Sequence, residues 1–289
     1  MIKFNNSCDG VYDSVDVRFT KKCDNNCEFC IEKNGAPIKE EASILKMGNA
    51  ILQYGAKNVL ILGGEPLLDV ERLSDLTSFI YGFVDNIYVT TSLPYTIVKE
   101  KAYFKRMMYD LTFLNVTLNS VDYVENNKSL RASSDHNRIA LLRSILNSHA
   151  DKVRVNLNLV KGYIDTKEKL LHSLHYLQII GCKHIKINEL QKSSKYVSYE
   201  DIMGIKMSPP YSTGCQQSVE IEGVNIDDIV VKRSCFLVEQ SRKASFTDFV
   251  KVLISKFRRQ KNRFAVLYED GSVERGWIVD MDNKVHSRE

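Results

Sequence analysis

The sequence predicts an α/β protein: a parallel sheet or barrel over residues 1–190, followed by a smaller α+β extension. Three observations carry that reading. From about residue 15 to 190, short apolar strands alternate with longer amphipathic stretches, and strict alternation implies parallel strands joined by right-handed crossovers. The run Asn58-Val59-Leu60-Ile61-Leu62 is continuously apolar, the pattern of a strand buried on both faces. Beyond Leu190 the alternation stops, so the boundary is drawn there, with residues 191–289 as a cap.

In order along the chain, Val15 to Phe19 alternates like a first strand and runs into a loop carrying Cys23, Cys27 and Cys30. Ala42, Leu45, Met47, Ile51 and Leu52 fall at roughly helical spacing, which predicts a helix from Glu40 to Tyr54. The second strand, Asn58 to Leu62, ends in Gly63-Gly64-Glu65-Pro66. A helix from Leu73 to Gly82 leads to a third strand, Asn86 to Ser92. Helical character returns from Val98 to Met108, and Asp110 to Leu118 is the fourth strand, closing on Asn119 and Ser120. A polar loop with Asn126, Asn127, Ser133 and Ser134 precedes a helix through Ile139, Leu142, Ile145 and Leu146. Val153 to Val160 is the fifth strand, and Lys167 to Ile180 is a helix ended by Gly181, where a C-terminal glycine is expected. His184 to Asn188 is the sixth strand.

In the cap, Val219 to Ile221 and Ile229 to Lys232 are expected to pair across Gly223 to Asp228. Phe246 to Phe257 reads as an amphipathic helix, and Phe264 to Tyr268 with Val273 to Val279 forms the clearest hairpin. No repeat of fixed period is visible.

With 44% hydrophobic and 26% charged residues, the 289-residue chain has the composition of an ordinary globular protein. No apolar run is long enough to span a membrane. The first residues show no signal-peptide core, so the expected compartment is the cytoplasm. A net charge of +4 permits an anionic substrate but falls short of a nucleic-acid footprint. The basic run Lys256 to Arg263, following an amphipathic stretch, reads as a solvated helix end. Nucleic acid is therefore not an expected partner, although the run leaves it open.

The seven cysteines form an odd, uneven set, which argues for metal or cofactor use over a disulfide framework. Three of them, Cys23-x3-Cys27-x2-Cys30, sit in a polar loop with Asp24, Asn25 and Asn26 that cannot be packed as core. Thiolates so placed grip a soft metal, either zinc or an iron–sulfur cluster. Structural zinc needs a fourth ligand and none is local, since the first histidine is His136. Active sites of parallel sheets lie at the carboxyl ends of the strands. That is where the cysteine loop, Gly63 to Pro66, Ser92, Asn119 and Ser120 all fall.

Cys23-x3-Cys27-x-Phe29-Cys30 after one strand, with Gly63-Gly64-Glu65-Pro66 after the next, resembles the radical S-adenosylmethionine (SAM) superfamily. The resemblance covers roughly residues 10 to 190. It implies a partial (β/α)6 barrel and one [4Fe-4S] cluster on Cys23, Cys27 and Cys30. The fourth iron is then left for the amino and carboxylate groups of SAM. Reductive cleavage of SAM would yield a 5′-deoxyadenosyl radical that abstracts hydrogen from carbon of a small-molecule or nucleotide-like substrate. The electron would come from a donor such as flavodoxin or ferredoxin.

The same resemblance places Phe29 near the adenine. Gly63 and Gly64 would approach SAM with their backbone, Glu65 and Pro66 would shape that turn, and Thr90, Thr91 and Ser92 would lie near the methionine carboxylate. Asn119 and Ser120 match the ribose-binding strand end, and Asn156, Asn158 or Lys161 on the fifth strand would add SAM contacts.

Catalytic groups are not identified; the candidates by position are Glu189, Tyr211 and Cys215. Arg131, His136 and Arg138 lie where an anionic group would be met. Cys8 reads as a bystander and Cys182 as a buried small residue. An auxiliary cluster on Cys215, Cys235 and Cys182 lacks a standard ligand set and is disfavoured. The GTP-cyclising branch of the family needs a second cysteine triplet that this sequence does not show. The alternatives carried forward are a peptide-modifying maturase with a degenerate auxiliary domain and a non-catalytic iron–sulfur redox protein.

Overall fold

The computed structural model of the chain describes residues 2–4, 14–34, 39–191, 193–207, 216–234, 264–274 and 277–279. Two short outer strands, β1 (Ile2–Phe4) and β12 (Trp277–Val279), pair antiparallel with each other. Every other described strand belongs to one ten-stranded sheet.

The first strand–helix unit shows how local chemistry sets the boundaries. Strand β2 is Ser14–Thr20, and helix α1 spans Ile44–Tyr54. Ser43 caps α1 by accepting the Lys46 N–H, and Gly55 closes it at φ +72°, a left-handed turn that glycine adopts without penalty. The helix starts four residues later than the expected Glu40 because the Ala42 N–H is donated to the Glu269 carbonyl, 2.6 Å away. Strand β3 (Asn58–Gly63) follows, then α2 (Val70–Ile80), which Asp69 caps by accepting the Arg72 N–H.

Strand β4 spans Asn86–Thr91. The helix expected from Val98 to Met108 is two helices, α3 (Thr96–Lys99) and α4 (Lys101–Asp110), with the break at Glu100. Asp110 is the last residue of α4, not strand; its carboxylate accepts the Thr77 and Ser78 hydroxyls at 3.0 and 2.8 Å. The strand therefore begins later, as β5 (Phe113–Leu118). The expected polar loop after it contains a helix instead, α5 (Tyr123–Leu130), capped by Asp122. Its asparagines are buried because they satisfy neighbouring elements: Asn126 accepts the Asn119 N–H, and Asn127 accepts from Arg138. Helix α6 (Arg138–His149), β6 (Val153–Leu159), α7 (Lys167–Ile179) and β7 (His184–Glu189) match the expected alternation closely.

Strands β2 to β7 run parallel in sequence order. On β4, β6 and β7 alternate residues are buried and partly open. The expectation that β3 is buried on both faces does not hold: Val59 and Ile61 are buried, whereas Leu60 and Leu62 are partly open. Helices cover one face of the sheet, and the other faces a concave interior, as in a partial barrel.

Apart from β12, the described strands of residues 191–289 extend both edges of that sheet. After the short helix α8 (Tyr199–Met203), β8 (Gln216–Ser218) pairs antiparallel with β9 (Asp228–Lys232), and β9 lies parallel to β7. The paired strand thus precedes the expected Val219–Ile221. At the other edge β10 (Phe264–Leu267) lies parallel to β2 and forms the expected hairpin with β11 (Val273–Glu274). Cys8, Tyr211, Cys215, Cys235, the expected helix at 246–257 and the basic run at 256–263 lie outside the described residues.

Candidate active site

The cysteine loop leaves the carboxyl end of β2. Cys23 is exposed, and Cys27 and Cys30 are half-buried. Desolvation pushes Cys23 up to about 11, with the charges of Glu65, Asp24 and Cys30 adding to it. Desolvation likewise pushes Cys27 up to about 12, with Cys30 and Cys23 adding to it, and raises Cys30. Thiols that raise one another in this way are held as thiolates only when a cation joins them. Among the described residues no three His, Cys, Asp or Glu side chains are placed to hold a single ion. A four-iron cube does not require that, because each thiolate takes a different iron. The donor set therefore fits a cluster.

Three neighbours hold this loop in place. The first is the glycine turn after β3. The Gly64 N–H donates to the Thr20 carbonyl at 2.7 Å and the Glu65 N–H to the Lys22 carbonyl at 2.8 Å. A Cβ on Gly64 would collide with the Lys22 carbonyl oxygen and reach within 2.7 Å of that of Lys21. Gly63 has φ +135°, and a Cβ there would collide with the Thr20 carbonyl oxygen. Both glycines thus permit close approach to the backbone that leads into Cys23.

The second neighbour is the end of β4, reached through Glu65. This carboxylate is buried and takes four donors: Leu67 N–H (3.1 Å), Thr91 hydroxyl (2.7 Å), Ser92 N–H (2.7 Å) and Ser92 hydroxyl (2.6 Å). Burial raises its pKa in spite of these bonds. The Asn25 side-chain amide then donates to the Ser92 hydroxyl at 2.7 Å, which ties the loop to the same network. Pro66 opens the short 3-10 turn that follows.

The third neighbour is the α5–α6 corner. Arg138, fully buried, donates to Asp24 (3.1 Å), Asn25 (3.3 Å) and Asn127 (2.7 Å). Desolvation lowers its pKa, opposed by Asp24 and Glu65. The Ser133 N–H donates to the Asp24 carbonyl, and the Asn26 N–H and the Cys27 thiol donate to that of Leu130. Arg131, His136 and Arg138, expected to lie where an anionic group would be met, each have a partner within the chain. Arg138 pairs with Asp24, Arg131 pairs with Glu28 at 3.0 Å, and the His136 ring lies 2.7 Å from the Leu93 carbonyl oxygen.

The remaining sequence candidates fall around the same rim. Phe29 is half-buried within the loop. Asn119 and Ser120 are buried at the end of β5, with Ser120 donating to Glu125. Asn158 donates to Asn119 at 3.0 Å and accepts from Asn188 at 3.3 Å, so three strand ends are joined by an amide row. Glu189 faces away from that row. Its buried carboxylate accepts the Tyr196 hydroxyl and the Tyr199 and Ser234 N–H groups, all of which hold the loops after β7 and β9. Cys182 is buried, its thiol donating to the His184 carbonyl.

Sequence reasoning missed one further device. Arg18, fully buried on β2, makes two bonds to Glu269, at 2.6 and 2.9 Å, while Glu32 of the cysteine-loop exit lies 3.7 Å away. The Arg18 guanidinium also lies over the Tyr268 ring, 4.3 Å from its centre. The one available signal was a charged residue between the apolar Val17 and Phe19 on a strand.

No protein-family model matches the chain. It is similar to the GTP 3′,8-cyclase of Lactiplantibacillus plantarum, 26% identical over 184 residues, covering 61% of this chain and 54% of the relative. It is also similar to the enzyme of that name from Limosilactobacillus fermentum, 24% identical over the same length and with the same shares covered. The chain spans about half the length of the curated relatives it matches. In fold it is similar to Streptococcus suis SuiB bound to S-adenosylmethionine (TM-score 0.60, 14% identical), a match covering 91% of this chain and 59% of SuiB. A radical SAM methyltransferase from Sphaerobacter thermophilus matches at TM-score 0.54 and 15% identity over 78% of this chain and 66% of its own. The chain thus has the partial-barrel fold of radical SAM proteins.

Proposed function

We propose that this chain is a radical SAM enzyme whose Cys23, Cys27 and Cys30 hold one [4Fe-4S] cluster and whose β3–β5 rim binds S-adenosylmethionine. One observation carries the reading: the three-thiol loop and the Gly63–Pro66 turn leave adjacent parallel strands and bond to each other at the same rim. A cluster and SAM bound here, given one electron by a donor such as flavodoxin or ferredoxin, would supply a 5′-deoxyadenosyl radical, with methionine as the leaving group, to take hydrogen from carbon. The chain's own residues bind and orient. Gly63 and Gly64 set the loop against the rim, and Glu65 holds Thr91 and Ser92 in place. Phe29, Asn119, Ser120 and Asn158 offer the apolar and amide surfaces for the nucleoside.

The substrate is a small molecule or nucleotide, which agrees with relatives named for a reaction of GTP. GTP cyclisation itself is not carried over, since the chain spans about half the length of those relatives. Peptide modification is the second reading, supported by the likeness to SuiB, a protein seen bound to a precursor peptide. Glu189 has a holding role in either case.

Anaerobic reconstitution with iron and sulfide, followed by dithionite and SAM, is expected to yield 5′-deoxyadenosine. If none forms, the enzyme reading fails and an iron–sulfur redox protein remains. Changing Cys23, Cys27 and Cys30 together to alanine is expected to abolish iron binding; about four irons left per chain would mean a second cluster.

A further inference from the structure

Two opposite charges are held beside the first cysteine. Asp24 and Asn25 follow Cys23 directly, and the Asn25 N–H donates to the Cys23 sulfur at 3.4 Å. Both residues are bonded to Arg138, which donates to the Asp24 carboxylate at 3.1 Å and to the Asn25 side-chain oxygen at 3.3 Å. Arg138 lies on α6, 114 residues from Asp24 in sequence, and is fully buried. Its other bonds go to neutral oxygens, those of the Asn127 side chain and the Ser134 carbonyl, and its Nε–H is buried without an acceptor. Asp24 is thus the one carboxylate bonded to Arg138 among the described residues. Desolvation lowers the Arg138 pKa, opposed first by Asp24 and then by the charges of Glu65 and Cys23.

Holding the loop does not by itself call for a buried ion pair. Taking two charges out of water costs as much as their attraction returns, and well-packed apolar contacts often serve as well. What a buried charge adds is a field in a medium of low dielectric, where solvent and salt screen it weakly. A [4Fe-4S] cluster held by three thiolates is an anion, and reduction adds a further negative charge to it. Its potential depends on net charge, hydrogen bonds to sulfur and exposure to solvent. Arg138 bears on the first two: it sets a positive charge beside Cys23, and it fixes Asn25, whose N–H meets the Cys23 sulfur. Asp24 bears on the first with the opposite sign.

We infer, on the reading of Cys23, Cys27 and Cys30 as cluster ligands, that Arg138 and Asp24 are positioning residues that set the cluster's reduction potential. Arg138 favours the reduced state and Asp24 opposes it. The reconstituted full-length protein is titrated with dithionite as the electron source, without SAM and at fixed pH and ionic strength. Electron paramagnetic resonance counts the reduced cluster. Arg138→Gln leaves the site more negative by one charge and is expected to lower the reduced-to-oxidised ratio about tenfold, a shift of about 59 mV for one electron. Asp24→Asn leaves it more positive and should raise the ratio by a similar factor.

The double variant Arg138→Gln/Asp24→Asn should return to within about threefold of wild type. Arg143→Gln removes an exposed charge from the same helix and should leave the ratio unchanged. A merely structural role gives another pattern, because loosening the loop from either side moves the potential the same way. Shifts of one sign in both single variants, shifts under about threefold in both, or a double variant displaced as far as Arg138→Gln overturn the proposal. If Arg138→Gln holds no iron, Asp24→Asn decides alone, and an unchanged or lowered ratio there overturns it. A wild-type protein without a reducible cluster fails the proposed function itself, whereas unshifted variants of a reducible cluster fail only the role given to this pair.

Discussion

Replacing Glu269 by glutamine removes the negative charge from a pair that joins β2 to the strand order's far end in sequence, 251 residues away. The change keeps the side chain's volume and leaves the Arg18 guanidinium, at 0% exposure, without its bidentate partner. Removing one member of a buried pair costs about 3–5 kcal/mol, because the remaining charge stays out of water. Glu32, 3.7 Å from Arg18 and 11% exposed, supplies part of the missing charge, so the lower end of that range is expected here. Against a total stability of about 5–15 kcal/mol, that is a large fraction.

The assay is urea unfolding of the metal-free, reduced protein, followed by both circular dichroism and tryptophan fluorescence. With a slope near 3 kcal/mol/M, the midpoint is expected to fall by about 1 M. The apolar double variant Arg18→Met/Glu269→Leu should recover most of the loss, since a well-packed apolar replacement of a buried pair is often neutral. The coupling in the double-mutant cycle should then be about 2 kcal/mol or more. A midpoint shift under about 0.3 M, or single effects that simply add, would refute the clasp between the hairpin and β2.

Three further outcomes follow from the geometry. Glu65→Gln turns one acceptor oxygen into a donor facing Thr91 or Ser92 and should cost about 1–3 kcal/mol. Because burial raises the Glu65 carboxyl, the folded chain holds its proton more tightly than the unfolded one. That contribution is full below the ordinary value of 4.5 and is lost as pH rises through the folded value. The deficit of Glu65→Gln should therefore narrow from pH 4.5 upward, and urea midpoints showing it widen would sink this account. Gly64→Ala must push the turn away from the Lys21 and Lys22 carbonyls, costing about 1–3 kcal/mol of stability together with iron bound per chain. Unchanged values for both would show that the close approach is not needed. Arg138→Gln removes the cation bound to Asp24; hydrogen exchange at the Asn26 and Ser133 amides should rise about tenfold, and no change there would clear Arg138 of holding the loop.

Periodicity made most of the body legible. The alternation of apolar runs placed β2 to β7 to within a few residues, because strands and helices covering one sheet bury residues at periods set by local geometry. It failed where a distant partner decided the boundary. Residues 40–43 stay outside the helix because Glu269 accepts the Ala42 N–H. The asparagines of α5 look like turn residues in isolation, yet they are buried by bonds to Asn119 and Arg138. Leu60 and Leu62 look like two-sided burial, but helices cover only one face of the sheet.

The candidate site divides in the same way. The sequence by itself determined the cysteine spacing, the glycines of the adjacent turn and their place at neighbouring strand ends, since these depend on residues close together in the chain. Only the tertiary structure decided what holds them. Arg138 reaches Asp24 across 114 residues, Ser92 meets both Asn25 and Glu65, and Glu269 closes on Arg18. A buried charge is stable only beside its counter-charge, and which pairs meet depends on how the whole sheet closes around them.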